Sequence, residues 1–150
     1  MRVAVVGATG AVGRLLLAML SERSVAADEV VPFASARSAG TILEGYGEVQ
    51  PLSAETVNGF DLALFSAGGS TSREWAPQFA AAGALVVDNS SAWRMDDQVP
   101  LVVSEVNPDA IADAPKGIVA NPNCTTMVAM LPLKALHDQF GLNAIVATSY

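Results

Sequence analysis

The chain has 150 residues, of which 51% are hydrophobic and 15% charged, so it can fold as one domain around a sizeable core. Its formal net charge of -7 excludes the basic surface that a general nucleic-acid binder requires. The single cysteine excludes an internal disulfide, as expected for a reducing cytoplasm, and no apolar run is long enough to span a membrane.

The first segment has the pattern of a buried strand, a glycine-rich turn and a helix. Residues 3–6 are small and β-branched, and residues 15–22 complete a leucine-rich helix. Between them, Gly7, Gly10 and Gly13 are spaced Gly-x-x-Gly-x-x-Gly, whereas the commoner dinucleotide motif is Gly-x-Gly-x-x-Gly. One glycine would allow the turn, one the approach of a pyrophosphate and one close helix–strand packing. A turn that binds nothing is the alternative.

The second strand is predicted at residues 29–35, and Pro32 places it near an edge or at a distortion. In a dinucleotide fold the end of this strand meets the adenosine ribose. No acidic residue is found there, whereas Ser35, Arg37 and Ser38 offer two hydroxyls and a guanidinium. Arginine binds phosphate through charge-assisted bonds, so we predict NADP rather than NAD. A solvated loop with an incidental arginine is the alternative.

The middle of the chain alternates further strands with a helix. Residues 41–52 are predicted as a hairpin or edge excursion, residues 53–56 as a turn and residues 61–65 as a buried strand. The small-residue loop at 66–70 follows that strand, where ligands of open α/β sheets lie, although a plain connecting turn is equally compatible. The helix at 70–82 is expected to have Thr71 or Ser72 as its cap, to stop at Gly83, and to turn three residues toward the core: Trp75, Phe79 and Ala82.

The last third continues the alternation. Short strands are predicted at 84–88 and 117–120, a polar loop at 89–94 and a helix from 125 to 137 that ends at Gly141. A further strand is predicted at 143–150, and because the sequence stops inside it, we expect the chain to be part of a longer protein. Together these elements predict an α/β fold, a Rossmann-like, doubly wound, mainly parallel sheet with flanking helices.

Cys124 is the candidate nucleophile. It lies where a strand becomes a helix, and the positive end of a helix dipole favours the thiolate. A buried structural cysteine is the alternative. A nucleophilic cysteine beside a nicotinamide suggests addition to an aldehyde, hydride transfer and a thioester. The only histidine, His137, would lie on the order of 20 Å along the same helix, so we expect the general base beyond Tyr150.

Five motifs in order resemble the bacterial form of aspartate-semialdehyde dehydrogenase. They are Gly7-Ala8-Thr9-Gly10-Ala11-Val12-Gly13, Ser35-Ala36-Arg37-Ser38, Phe65-Ser66-Ala67-Gly68-Gly69, Asp88-Asn89-Ser90-Ser91-Ala92-Trp93-Arg94 and Asn121-Pro122-Asn123-Cys124-Thr125-Thr126. The resemblance implies NADP-dependent reduction of L-aspartyl 4-phosphate to L-aspartate 4-semialdehyde, on the route to lysine, threonine and methionine. It implies Cys124 as the nucleophile, and Arg94 and Asn123 as binding residues for phosphate and substrate. The cofactor contacts that it implies are Gly7, Thr9, Gly10, Ala11, Val12, Ser35, Arg37, Ser38, Ser66, Ala67 and Gly68.

The resemblance also implies an organisation. Residues 1–123 would form the NADP-binding domain, and residues 124–150 would begin a catalytic and dimerisation domain, in a homodimer or homotetramer without a metal. The isolated chain is then expected to be inactive. N-acetyl-γ-glutamyl-phosphate reductase shares the chemistry, but its motif usually has glycine before the cysteine and an aromatic residue after it, unlike Asn123 and Thr125. A non-catalytic, NADP-binding sensor module is the other alternative.

Overall fold

The computed structural model describes residues 1–148, which form one main sheet with helices on both faces. The strands are β1 (Arg2–Val6), β2 (Glu29–Ala34), β3 (Ile42–Leu43), β4 (Gly47–Glu48), β5 (Gln50–Pro51), β6 (Leu62–Phe65), β7 (Leu85–Asp88) and β8 (Ile118–Ala120). The helices are α1 (Ala11–Glu22), α2 (Gly69–Ala81) and α3 (Cys124–Phe140), with a 3-10 helix at Pro108–Ala112. The sheet is parallel in the order β5-β2-β1-β6-β7-β8, which confirms the predicted fold class.

The buried strand β1 explains why the sheet is covered on both sides. Its residues 3–6 are fully buried, and consecutive side chains of a strand point to opposite faces. Val5 packs with Leu17 of α1 on one face, whereas Ala4 and Val6 join the larger core that contains Phe79 of α2. The continuous apolar run therefore required one helix above the sheet and one below it.

Pro32 lies one strand in from the edge, as predicted. In β2 it is paired with Val5 of β1, and the edge strand β5 reaches only Phe33 and Ala34. Proline has no amide hydrogen to donate, so it fits where no outer neighbour needs one. Residues 41–52 form the expected edge excursion, in which β3 and β4 pair as a hairpin before β5 joins the sheet.

Two sequence predictions are wrong in this part of the fold. Residues 143–148 form no strand, and residues 149 and 150 lie outside the described range. A strand needs a neighbouring backbone to bond, and no described strand lies beside this segment, in which Val146 is 99% exposed. Helix α2 is not capped by Thr71 or Ser72, because Gly68 occupies the cap position and, within residues 1–148, no side chain bonds there.

Ser72 is instead a buried hydrogen-bond acceptor. Its hydroxyl accepts a hydrogen bond from Trp93 Nε1 at 2.9 Å, which joins α2 to the loop after β7. We expect Ser72→Ala to lower the free energy of unfolding by about 1–3 kcal/mol, because the indole N–H is left without its partner. Urea unfolding of the chain measures this, with Ser70→Ala on the exposed side of the same helix as the control. Equal stability of the two variants would contradict the expectation.

Candidate cofactor and catalytic site

The glycine turn is wedged between the ends of β2 and β6. Gly7 has φ +92°, and a Cβ built on it would lie 2.3 Å from the carbonyl oxygen of Ser66. The amides of Gly7 and Ala8 both donate to the carbonyl oxygen of Phe33, at 2.9 and 3.0 Å. A side chain at position 7 would therefore be excluded both by the positive φ and by the neighbouring strand end.

The other two glycines shape the start of α1. A Cβ on Gly13 would lie only 2.1 Å from the carbonyl oxygen of Gly7, so the helix packs directly on the turn. Gly10 is the cap residue, and within the described residues no side chain caps this helix. The first-turn amides of residues 11–13 consequently have no hydrogen-bond partner among residues 1–148, and together with the helix dipole they form a site suited to a phosphate.

A second helix N-terminus lies at the carboxyl ends of the parallel strands, as that of α1 does. Gly68, with φ +86°, precedes α2, and the amide of Ser72 donates to its carbonyl oxygen at 3.1 Å. As at α1, the chain between residues 1 and 148 supplies no capping side chain. The loop between Ser66 and α2 therefore also presents unpaired amides where the strands end.

A cleft of about 450 Å³ opens between these two helix starts. Its lining is contributed by the ends of β1, β2, β5 and β6 and by α2: Val6, Gly7, Thr9, Gly10, Ala34, Ser35, Ala36, Pro51, Leu52, Ser66, Ala67, Thr71 and Trp75. Of the predicted cofactor contacts, six line it: Gly7, Thr9, Gly10, Ser35, Ser66 and Ala67. The other five lie beside the cleft rather than in its lining. Ala11 and Val12 are the first residues of α1, Arg37 and Ser38 belong to the turn after β2, and Gly68 is the cap residue of α2.

Arg37 is exposed just outside the cleft. It belongs to the turn after β2, which closes with the amide of Ser38 donating to the carbonyl oxygen of Ser35 at 2.8 Å. Arg37 therefore directly follows Ser35 and Ala36, which line the cleft on the β2 side of the glycine turn.

Arg94 ties together the loops that follow β7 and β8. Its Nε donates to the carbonyl oxygen of Asn121 at 2.9 Å, and its Nη2 donates to that of Asn89 at 3.1 Å. The side chains of the two asparagines are also bonded, at 2.9 Å between Asn121 Nδ2 and Asn89 Oδ1. Nη1 makes no hydrogen bond in the described part of the chain, so one edge of the guanidinium can still bind an anion.

Asp88 shapes this loop and was missed in the sequence analysis. It is fully buried, and its carboxylate accepts hydrogen bonds from the amide and the hydroxyl of Ser90, at 3.2 and 2.6 Å. The signal that could have found it is the Asp-x-Ser spacing at a strand end, which is typical of a side chain bonding the backbone two residues on. At the far end of the loop, a hydrogen bond from Lys116 at 2.6 Å lowers the pKa of Asp96, so the carboxylate stays charged until pH falls through that lowered pKa.

Cys124 is the first residue of α3, and it is exposed. The residue before it, Asn123, caps the helix, with its Oδ1 accepting a hydrogen bond from the amide of Thr125 at 2.9 Å. The cysteine therefore follows the carboxyl end of β8, as the glycine turn follows the carboxyl end of β1. These two strands are three positions apart in the sheet, or about 14 Å. The cleft itself does not reach Cys124, which lies three residues after Asn121, the residue whose carbonyl oxygen accepts the hydrogen bond from Arg94 Nε.

His137 lies far from the cysteine, as predicted. Both belong to α3, and thirteen residues of helix separate them by about 20 Å. The imidazole is exposed, and its Nδ1 accepts a hydrogen bond from the amide of Leu142 at 3.2 Å. Residues 1–148 hold no group of acidic, cysteine and histidine side chains that could bind a metal, and no helix there is long and apolar enough to cross a membrane.

The semialdehyde dehydrogenase family, through its NAD binding domain, matches residues 2–114. The chain belongs to this family. The match covers strands β1 to β7 and ends before β8. It therefore includes the glycine turn, the cleft and Arg94, but not Cys124.

The relatives of this chain confirm the predicted resemblance. The aspartate-semialdehyde dehydrogenase of Streptomyces akiyoshiensis is 56% identical over 150 residues, which are 100% of this chain and 44% of the relative. Aspartate semialdehyde dehydrogenase II of Vibrio cholerae, solved in complex with ASA, has a TM-score of 0.86 at 44% identity, over 93% of this chain and 47% of that one. The Candida albicans enzyme, solved with NADP, has a TM-score of 0.72 at 25% identity, over 94% and 48%.

The chain thus spans slightly less than half the length of these relatives. Their names are those of the aspartate enzyme, and not of the acetylglutamyl-phosphate reductase that was the other candidate. The part of each relative beyond the match has no counterpart among residues 1–150.

Proposed function

We propose that a protein carrying this chain reduces L-aspartyl 4-phosphate to L-aspartate 4-semialdehyde with NADPH, through a thioester on Cys124. The observation that carries the proposal is the placement of Cys124 at the start of α3. It lies at the carboxyl ends of the strands, where the glycine turn leaves the first amides of α1 without a capping side chain among the described residues. The names of the relatives support the substrate, and the Vibrio cholerae enzyme was solved with ASA. The proposed setting is cytoplasmic biosynthesis of lysine, threonine and methionine.

The fit of the dinucleotide supports this proposal. Gly10 and the unpaired amides of residues 11–13 would hold its pyrophosphate, while Thr9, Ser66 and Ala67 would line its path. When bound, NADPH supplies the hydride that reduces the thioester carbonyl. The cleft lies on the β2 side of Cys124, so the nicotinamide end would point along the strand ends toward the cysteine.

The chain's own residues account for the acyl-transfer half of the reaction. The Cys124 thiolate attacks the acyl carbon, the carbonyl re-forms, and the carbon–oxygen bond to phosphate breaks, so inorganic phosphate leaves and a thioester remains. The free Nη1 edge of Arg94 would bind the phosphoryl group, and Asn123 would position the cysteine through its helix cap. After reduction, expulsion of the Cys124 sulfur releases the aldehyde.

The domain division is proposed at residue 123. None of the residues of α3, all within the described range, is buried, although Val128 and Phe140 are apolar and 78% and 80% exposed. An apolar helix without cover is expected to pack against further protein, which fits a catalytic and dimerisation domain that begins at residue 124. The full protein would be a homodimer or homotetramer, and the chain alone would turn over little, because its only histidine, His137, lies about 20 Å from Cys124 along α3.

The test of the proposed function is an assay of residues 1–150 joined to the C-terminal part that the relatives have. Phosphate-dependent formation of NADPH from aspartate semialdehyde is the expected result. N-acetylglutamate semialdehyde is the competing substrate, and a preference for it would assign the reductase activity instead.

NADP rather than NAD is the proposed cofactor. We expect Arg37→Ala to weaken NADP binding by about 10- to 100-fold, the value of a charge-assisted hydrogen bond, and to leave NAD binding unchanged. Titration calorimetry on the chain measures both affinities. Arg23→Ala, which removes an equally exposed arginine at the other end of α1, is the matched control. A variant that keeps its preference for NADP would rule out this role for Arg37.

A further inference from the structure

Trp75 lies in the wall of the cofactor cleft, where the sequence pattern had assigned it to the core. It is on α2, one turn after Thr71, and both side chains line the cleft. The indole is half-buried, and it packs against the core cluster as well. One part of this large aromatic side chain is therefore held by the core while another part faces the cleft.

On the side of β2 and β5, the cleft lining is apolar apart from Ser35. Pro51 and Leu52 come from the edge of the sheet, and Ala34 and Ala36 from the end of β2 and the turn after it. On the side of the glycine turn, the lining consists of backbone and hydroxyl groups, including Thr9 and Ser66. The same cleft thus offers a polar region for phosphates and an apolar region for a flat ring.

The covalent structure of the dinucleotide determines which of its groups would occupy each of these two regions. If the pyrophosphate binds the amides at the start of α1 and the ribose 2′-phosphate meets Arg37 after β2, the adenine is attached to that same ribose. The adenine must then lie near the turn at residues 35–38, separated from it by no more than the length of this ribose. The larger apolar residues that line this cleft are Pro51, which pairs with Ala34 at the end of β2, Leu52 and Trp75.

We infer that Trp75 forms a wall of the adenine pocket and supplies affinity for every adenine-containing form of the cofactor. The inference rests on the proposed binding of the dinucleotide. Contact between a base and an aromatic side chain is worth about 5- to 100-fold in affinity when the aromatic group is removed. Because NAD and NADP share the adenine, Trp75 sets the affinity for both, whereas Arg37 sets the choice between them.

The chain offers a direct optical test, since it contains only two tryptophans, Trp75 and Trp93. In the Trp93→Phe variant, Trp75 is the sole source of indole fluorescence. We expect NADP and NAD to change this fluorescence on titration, and nicotinamide mononucleotide, which has no adenine, to leave it unchanged. In the Trp75→Phe variant, which reports from Trp93 alone, we expect a change at least fivefold smaller.

Affinity measurements complete the experiment. Titration calorimetry is expected to show that Trp75→Ala weakens NADP and NAD by the same factor, about 5- to 100-fold, while Trp75→Phe retains most of the affinity. Circular dichroism verifies that each variant is folded, and the fluorescence titration needs no alteration of Trp75.

The outcomes separate this inference from the proposed function. If the wild-type chain binds neither dinucleotide, both fail. If it binds NADP but Trp75→Ala binds equally tightly and the indole signal does not change, the adenine role is overturned and the proposed function stands. A loss confined to NADP would also overturn the inference, because it would place Trp75 at the 2′-phosphate.

Discussion

Replacing Cys124 with serine is expected to lower phosphate-dependent NADPH formation by on the order of 10⁴-fold or more, in the chain joined to the C-terminal part of its relatives. A serine hydroxyl stays protonated at neutral pH, whereas a thiol is readily ionised and far more nucleophilic. Because Cys124 is exposed and is the first residue of α3, the substitution should leave the fold unchanged. Steady-state turnover with aspartate semialdehyde and phosphate measures the effect.

Thr126→Ala is the matched control for this prediction. Thr126 is exposed two residues further along the same helix, so its loss tests whether any change at the start of α3 abolishes turnover. The chain also allows a labelling test, because iodoacetamide has a single thiol to modify. A Cys124→Ser protein that keeps a tenth of the wild-type rate would remove the cysteine from the mechanism.

Gly13→Ala is expected to lower the free energy of unfolding by about 3 kcal/mol. The new Cβ would lie 2.1 Å from the carbonyl oxygen of Gly7, and both groups belong to rigid backbone. Relief requires α1 to move away from β1, which opens the small cluster of Val5, Ala8 and Leu17. The higher helix propensity of alanine, about 1 kcal/mol, is too small to compensate for this overpacking.

Gly10→Ala separates packing from ligand binding at the same turn. A Cβ at this position meets the carbonyl oxygen of Gly7 at 3.3 Å, and φ is an ordinary -75°, so we expect less than about 1 kcal/mol of destabilisation. NADP affinity should nevertheless fall, because the methyl group lies over the open amides of α1. Urea unfolding and calorimetry measure the two quantities, and equal stability of the alanine variants at 10 and 13 would contradict the packing argument.

The sequence by itself determined the sheet, the glycine turn and the end of the sheet at which the site lies. Short apolar runs such as residues 3–6 bury both faces of a strand, which requires parallel strands with helices above and below. The glycines at 7, 10 and 13 marked the one turn where backbone comes too close for side chains. The motif around Cys124 placed the cysteine at a strand-to-helix junction, where the structure has it. All of these are local patterns, which sequence spacing encodes directly.

The tertiary structure alone decided which side chains meet. Ser72 became an acceptor for Trp93, twenty-one residues away, rather than a helix cap, because the loop after β7 folds over α2. Trp75 became part of the cleft wall, since its side chain packs against the core and also lines the cleft. Arg94 joined two loops only because β7 and β8 are neighbours in the sheet. Such contacts depend on how distant elements are brought together, and a strand such as the one predicted at 143–148 exists only where a partner backbone is present to pair with it.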